Sequence, residues 1–212
     1  MKTYNLSPKN QRALIVVDLQ NDFLPGGALA VEEGDQIING INSILDIYDL
    51  VIFTKDFHPF NHKSFASQHP GKNPFEIIEL NSIQQVLWPD HCVEGSTGSE
   101  FAEKLDFNKL MNKPFYIFKK GMNPKVDSYS AFYDNNHKDS TGLAEFLKQK
   151  NVKSVYVCGL AADYCAKWTA LDAVKEGFET FFYLNLTRPI DRSVEGRLAL
   201  VKELETNNIQ LL

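Results

Sequence analysis

Short apolar, β-branched runs alternate with amphipathic stretches almost from end to end of this chain, which is the pattern of βαβ units. Ala13 to Val17 reads as a first buried strand closed by Asp18. Ile37, Ile38, Ile41, Leu45 and Tyr48 then recur at helical spacing, and Leu50 to Thr54 reads as the second strand. Phe115 to Phe118 supplies a third strand, Leu143, Phe146 and Leu147 mark a helix, and Ser154 to Cys158 supplies a fourth strand. Ala166, Ala170, Ala173 and Val174 line the next helix, which Gly177 stops. Thr180 to Leu184, a helix carrying Val194, Leu198 and Val201, and a short strand at Ile209 to Leu212 complete the series. The expected fold is α/β, a mostly parallel, about six-stranded sheet covered on both faces. A chain of 212 residues without repeat, low-complexity tract or linker suits one domain, 1–212.

Two stretches break the rhythm: Lys55 to Asn112, rich in His, Pro, Asn and Ser, and Gly121 to Ser140, rich in Asn, Asp and Tyr. Each begins at the carboxyl end of an expected strand, where open α/β sheets place their ligand sites. Charge narrows what such a site could serve. With 22 Lys and Arg against 27 Asp and Glu, net −5, there is no basic stripe for nucleic acid or for an anionic membrane surface. The longest aliphatic run, Ala13 to Val17, is far shorter than the roughly 20 residues of a membrane span. The start, MKTYNLSPKNQR, is polar and lacks the apolar region of a secretory signal, so the expected address is the cytoplasm. There the three cysteines, Cys92, Cys158 and Cys165, are expected as free thiols.

Four clusters carry the chemistry. Asp18 closes the first strand in VVDLQNDF, positioned as a general base or as a loop-capping carboxylate. In TKDFHPFNHKSF, Asp56 and His58 stand two apart in extended chain and project to one side, so both can reach one ion. His91 of WPDHCV can complete an Asp/His/His set with open positions for water, and His62 and Ser64 are further candidate ligands, directly or through water. Lys120 ends the third strand, and alternation sends Lys119 to the opposite face, so at most one of the two enters the site. Cys165, in GLAADYC, falls in the first helical turn with Asp163 as the expected N-cap, where the helix dipole and free amides favour a thiolate and an oxyanion. Cys158, inside a strand, and Cys92 are expected to be buried.

Together DLQNDF with GGALAV, DFHPFNHKSFASQHPG, WPDHCV, KKGMNPKVDSYSAF and GLAADYC resemble the nicotinamidase branch of the isochorismatase-like cysteine hydrolases, over nearly the whole chain. The resemblance implies a three-layer α/β/α fold and hydrolysis of nicotinamide to nicotinic acid and ammonia through a cysteine thioester, in the salvage of NAD. It implies a triad of Cys165, Asp18 and Lys120, and a divalent metal on Asp56, His58 and His91 in the loop region at about 55–112, with Ser64 where members vary a further ligand. Zinc leads as the ion, with iron or manganese as alternatives. A cis peptide is implied between Leu160 and Ala161, with the amides of Ala161 and Cys165 as oxyanion donors, and a ring pocket of Phe23, Leu29, Trp88 and Tyr129.

Two departures stand out: Ala162 replaces a common threonine, and Asn185-Leu186 replaces an Asp-containing segment. The expected partner is a small molecule, nicotinamide, with pyrazinamide as a second substrate; nucleic acid and membrane are not expected, and a homo-oligomer is left open. Two other readings stay beside this one: a related amidase acting on another small amide, and a metal-binding redox sensor with Cys165 as its switch.

Overall fold

The computed structural model describes residues 11–212; the first ten residues of the polar start lie outside them. In chain order the regular elements are β1 (Arg12–Val17), α1 (Ile38–Ile44), β2 (Leu50–Asp56), β3 (Ile77–Leu80), β4 (Ile83–Val86), β5 (Phe115–Lys120), α2 (Leu143–Gln149), β6 (Ser154–Leu160), α3 (Cys165–Lys175), β7 (Glu179–Arg188), α4 (Val194–Thr206) and β8 (Gln210–Leu211). Six strands form one parallel sheet in the order β5-β2-β1-β6-β7-β8. The order reverses direction between β1 and β6, and the crevice beyond the carboxyl ends of that pair is where such sheets bind ligands.

Alternation along β1 splits the core in two. Ala13, Ile15 and Val17 face a layer with Phe132, Leu147, Ala166 and Ala170, while Leu14 and Val16 face Ile38, Ile41, Leu45 and Phe53. Helices lie on both faces, so the central strands β1, β2 and β6 are buried almost throughout and read as continuous apolar runs. Edge strand β5 alternates instead, with Phe115 and Ile117 exposed and Lys120 buried.

Four strands run further at their carboxyl ends than their apolar runs: β2 to Asp56, β5 to Lys120, β6 to Leu160 and β7 to Arg188. Polar residues there still pair in the ladder, Asp56 opposite Lys120 and Leu160 opposite Arg188. In α4 the stripe that faces the core is Leu200 and Leu204, packed with Ile209; Val194 and Leu198 are exposed. Both stripes have helical spacing, and packing against α3 and β8 decides between them. The long excursion after β2 contains an antiparallel hairpin, β3 with β4, turned at Asn81 and Ser82, both at positive φ as a two-residue hairpin loop requires. Among the described residues no helix is long and apolar enough to cross a membrane.

Candidate active site

Three strand ends bring the reactive groups together. Beyond β1, Asp18 turns into the left-handed region, φ 45°, and its amide donates to Thr54 Oγ1 at 3.1 Å. The Thr54 hydroxyl donates in turn to Asp18 Oδ1 at 2.6 Å, which fixes the carboxylate against the crevice. The register of β2 with β5 places Lys120 beside Asp56. Lys120 Nζ reaches Asp56 Oδ1 at 2.6 Å, Asp18 Oδ2 at 2.8 Å, the Ser128 carbonyl at 2.9 Å and Cys165 Sγ at 3.4 Å. Lys119 lies on the other face, its ammonium 3.7 Å from the centre of the Phe57 ring.

Asp18, Asp56, Lys120 and Cys165 are all buried, so desolvation and charge compete. Burial pushes the Asp18 carboxyl up from its ordinary value, against the pull of Lys120. Burial works the same way on Asp56, but Lys120 and His58 overcome it and hold that carboxyl well below the usual range. Lys120 is driven well up because its two carboxylates outweigh desolvation. Cys165 is also pushed well up by burial, with Lys120 opposing. The sequence suggested a thiolate favoured by the helix start; in this pocket desolvation works against that form and the Lys120 ammonium works for it. Cys92 and Cys158 are buried as expected, and burial raises both thiols.

Asp56, His58 and His91 present ligand atoms within 4.8 Å of one another. Each imidazole is oriented by a carbonyl: His58 Nδ1 donates to Gly121 O at 2.9 Å and His91 Nδ1 to Pro89 O at 2.8 Å. That leaves each Nε2 lone pair facing Asp56 Oδ2, at 3.6 and 3.7 Å. His58 Nε2 is buried with no hydrogen-bond partner, as a metal-ligand atom is without its ion, and two imidazoles with one carboxylate suit a divalent transition metal. The residues therefore fit the implied ion. Beside this set, the Ser64 hydroxyl bonds His62 Nδ1 at 2.7 Å and the Ser64 amide donates to the same nitrogen. His62 groups instead with His58 and Asp127.

Beside Cys165 lies a pocket lined by Phe23, Leu29, Trp88 and Tyr129, the four expected ring-pocket residues, together with Ala161 and Tyr164. His91, Asp127 and Ile190 also reach it. The Leu160–Ala161 peptide is cis. Asp163 does not cap α3; the N-cap is Tyr164, without a side-chain bond, and the Asp163 carboxylate accepts from the amides of Ile190 at 2.9 Å and Asp191 at 2.8 Å. The consequence is chemical. No side chain occupies the first amides of α3, and those of Ala161 and Cys165 have no protein acceptor among the described residues.

Sequence reasoning missed Thr54, Gln20, Asp127, Tyr164 and Ile190. Gln20 clips β1 to β2 through both backbone groups of Asp56, each at 2.8 Å. It stands in the string DLQNDF already singled out, whereas Thr54 and Ile190 carry no pattern of their own.

The model of the isochorismatase domain family matches residues 12–192. The nicotinamidase of Acinetobacter baylyi is 44% identical over 191 residues, covering 90% of this chain and 87% of its own. The structure of an Acinetobacter baumanii nicotinamidase and pyrazinamidase superposes with a TM-score of 0.90 at 42% identity, covering 98% of this chain and 97% of that one. A pyrazinamidase of Pyrococcus horikoshii, solved in complex with zinc, superposes with a TM-score of 0.75 at 34% identity over 95% and 98% of the two chains.

Proposed function

The chain belongs to the isochorismatase family, and from that membership we propose that it hydrolyses nicotinamide to nicotinic acid and ammonia, with pyrazinamide as a second substrate. The observation that carries the reading is the convergence of Cys165 Sγ, Lys120 Nζ and the Asp18 carboxylate at one wall of a pocket lined by aromatic rings. The names of the relatives agree with it.

Asp18 takes the proton of Cys165, and the sulfur bonds to the carboxamide carbon. The oxygen of the tetrahedral adduct accepts from the amides of Ala161 and Cys165, which need no rearrangement to receive it. Collapse breaks the C–N bond, and Asp18 returns its proton to the leaving nitrogen as ammonia. A water then adds to the thioester, giving a proton to Asp18; the C–S bond breaks, the acid leaves and the sulfur regains its proton. Lys120 stays charged throughout and balances whichever of Asp18 and Cys165 is the anion. Asp56, His58 and His91 would hold the divalent ion, zinc before iron or manganese, which when bound supplies a positive centre for the ring nitrogen of the substrate.

This reading treats 1–212 as one catalytic domain acting in the cytoplasm on a small molecule, where nicotinic acid re-enters pyridine nucleotide synthesis. The test is ammonia release from nicotinamide by zinc-loaded protein, beside Cys165→Ala and a chelated sample. Release by the parent and background rates in Cys165→Ala are expected; a metal-loaded parent that releases no ammonia overturns the proposal.

A further inference from the structure

Apart from Asp56 at the end of β2, the pocket is lined by residues outside the strands. Phe23, Trp88, Tyr129 and Tyr164 brace one another or the metal-site rings: Trp88 with Tyr164 at 4.8 Å between centroids, Tyr129 with Tyr164 at 5.5 Å, and Phe23 with His91 at 5.5 Å. Ile190 stands apart from that set. It is half-buried, on the irregular segment between β7 and α4, and its backbone is held by the two oxygens of Asp163, one on the Ile190 amide and one on the Asp191 amide. Asp163 itself sits two residues before Cys165, so the same turn that presents the nucleophile also sets the position of Ile190.

The segment is tied on its far side as well. Arg192 pairs with Glu32 and with Glu33 at 3.3 Å, and Arg188 pairs with Glu33 at 3.5 Å. Glu32 and Glu33 follow closely on Leu29, the other aliphatic wall of the pocket. The two aliphatic walls therefore come from loops latched to each other, while the aromatic walls are locked by mutual packing.

We infer that Ile190 is a specificity-determining residue, which limits the pocket to an unsubstituted six-membered ring, and that Asp163 is the positioning residue that sets it there. The inference rests on the proposed hydrolysis of nicotinamide. A branched aliphatic side chain whose own amide and the next are both held by one carboxylate has little room to retreat from a ring substituent, and excluding one methyl group by such a wall is worth about 10- to 200-fold in kcat/KM. Asp163 acts through Ile190, so its loss should raise KM for nicotinamide more than it lowers kcat.

The experiment compares kcat/KM for nicotinamide with that for its 4-, 5- and 6-methyl derivatives in the zinc-loaded parent, Ile190→Val, Ile190→Ala and Asp163→Asn. In Ile190→Ala at least one methylated amide should gain about 10-fold or more relative to nicotinamide. Ile190→Val should stay near the parent, and Asp163→Asn should relax selectivity for the same derivative with the effect in KM. A parent active on nicotinamide whose selectivity is unchanged by Ile190→Ala overturns the inference alone. A parent inactive on nicotinamide overturns the functional reading and the inference with it.

Discussion

At the scale of single residues, Asp18 and Cys165 are displaced from their ordinary pKa values in the same direction and by the same cause, burial. In the proposed hydrolysis the proton moves between them inside one desolvated cluster, so the transfer creates no new net charge there; a carboxylate and a thiol become an acid and a thiolate beside the same Lys120. A base raised above the usual carboxylate range must lose its activity at a correspondingly higher pH, because kcat/KM falls as pH drops through the pKa of the free enzyme. The acid limb of the pH profile for kcat/KM is therefore expected above the ordinary Asp value. The Thr54 hydrogen bond pulls the Asp18 carboxyl down, so removing it lets burial push further. Thr54→Val should move the limb to still higher pH, and a limb that stays in place would show that Asp18 is not the titrating base.

Between elements, the site depends on how closely neighbouring segments approach. Gly121 follows β5 at φ +68°, and a Cβ there would stand 2.4 Å from His58 Cε1. Its carbonyl also holds His58 Nδ1. Gly121→Ala should displace the imidazole and strain the backbone, costing roughly 1–3 kcal/mol of stability. It should weaken zinc binding by roughly 10- to 100-fold, the effect of losing an outer hydrogen-bond partner of a metal-bound histidine. Zinc titration and thermal melts of the metal-free variant read the two effects separately, and unchanged zinc affinity would remove the Gly121 carbonyl from that role.

The same scale explains what the sequence made legible. Strands buried on both faces announce themselves as apolar runs, so the sheet and its order of elements were readable from Ala13–Val17 onward. The runs underestimate strand length where Asp56 and Lys120 continue the ladder, since a polar residue at a strand end carries no hydrophobic signal. Asp163 looked like a helix cap because Asp before a helical run usually is one. Its partners, the amides of Ile190 and Asp191, lie 27 and 28 residues away and leave no local trace. Ile190 was hidden for the same reason, as was the choice between the two stripes of α4.

For the molecule as a whole, an ion held by Asp56, His58 and His91 would act as a fastening between the sheet and the long excursion after β2. Asp56 ends a central strand, His58 pairs with Val93 in an isolated bridge, and His91 belongs to the segment 88–93, which is also held by backbone bonds of Trp88 with Ser64 and Ala66, by Trp88 Nε1 on the Tyr129 hydroxyl, and by the Asp22 carboxylate on the Cys92 amide at 2.7 Å. An ion bound to all three joins parts of the chain that are 35 residues apart, His91 from Asp56, and does so only in the folded state. Ligand linkage then requires the melting temperature to rise with zinc: free metal at about 100 times its Kd adds ~2.7 kcal/mol, or roughly 5 to 10 °C for a chain of this size. His91→Ala should abolish most of that rise, and the amides of 88–93 should lose hydrogen-exchange protection on chelation before those of β1 or β6 do. If chelation leaves both the melting temperature and the exchange of 88–93 unchanged, the ion does not fasten the excursion, and His91 is held by the Pro89 carbonyl and its neighbours alone.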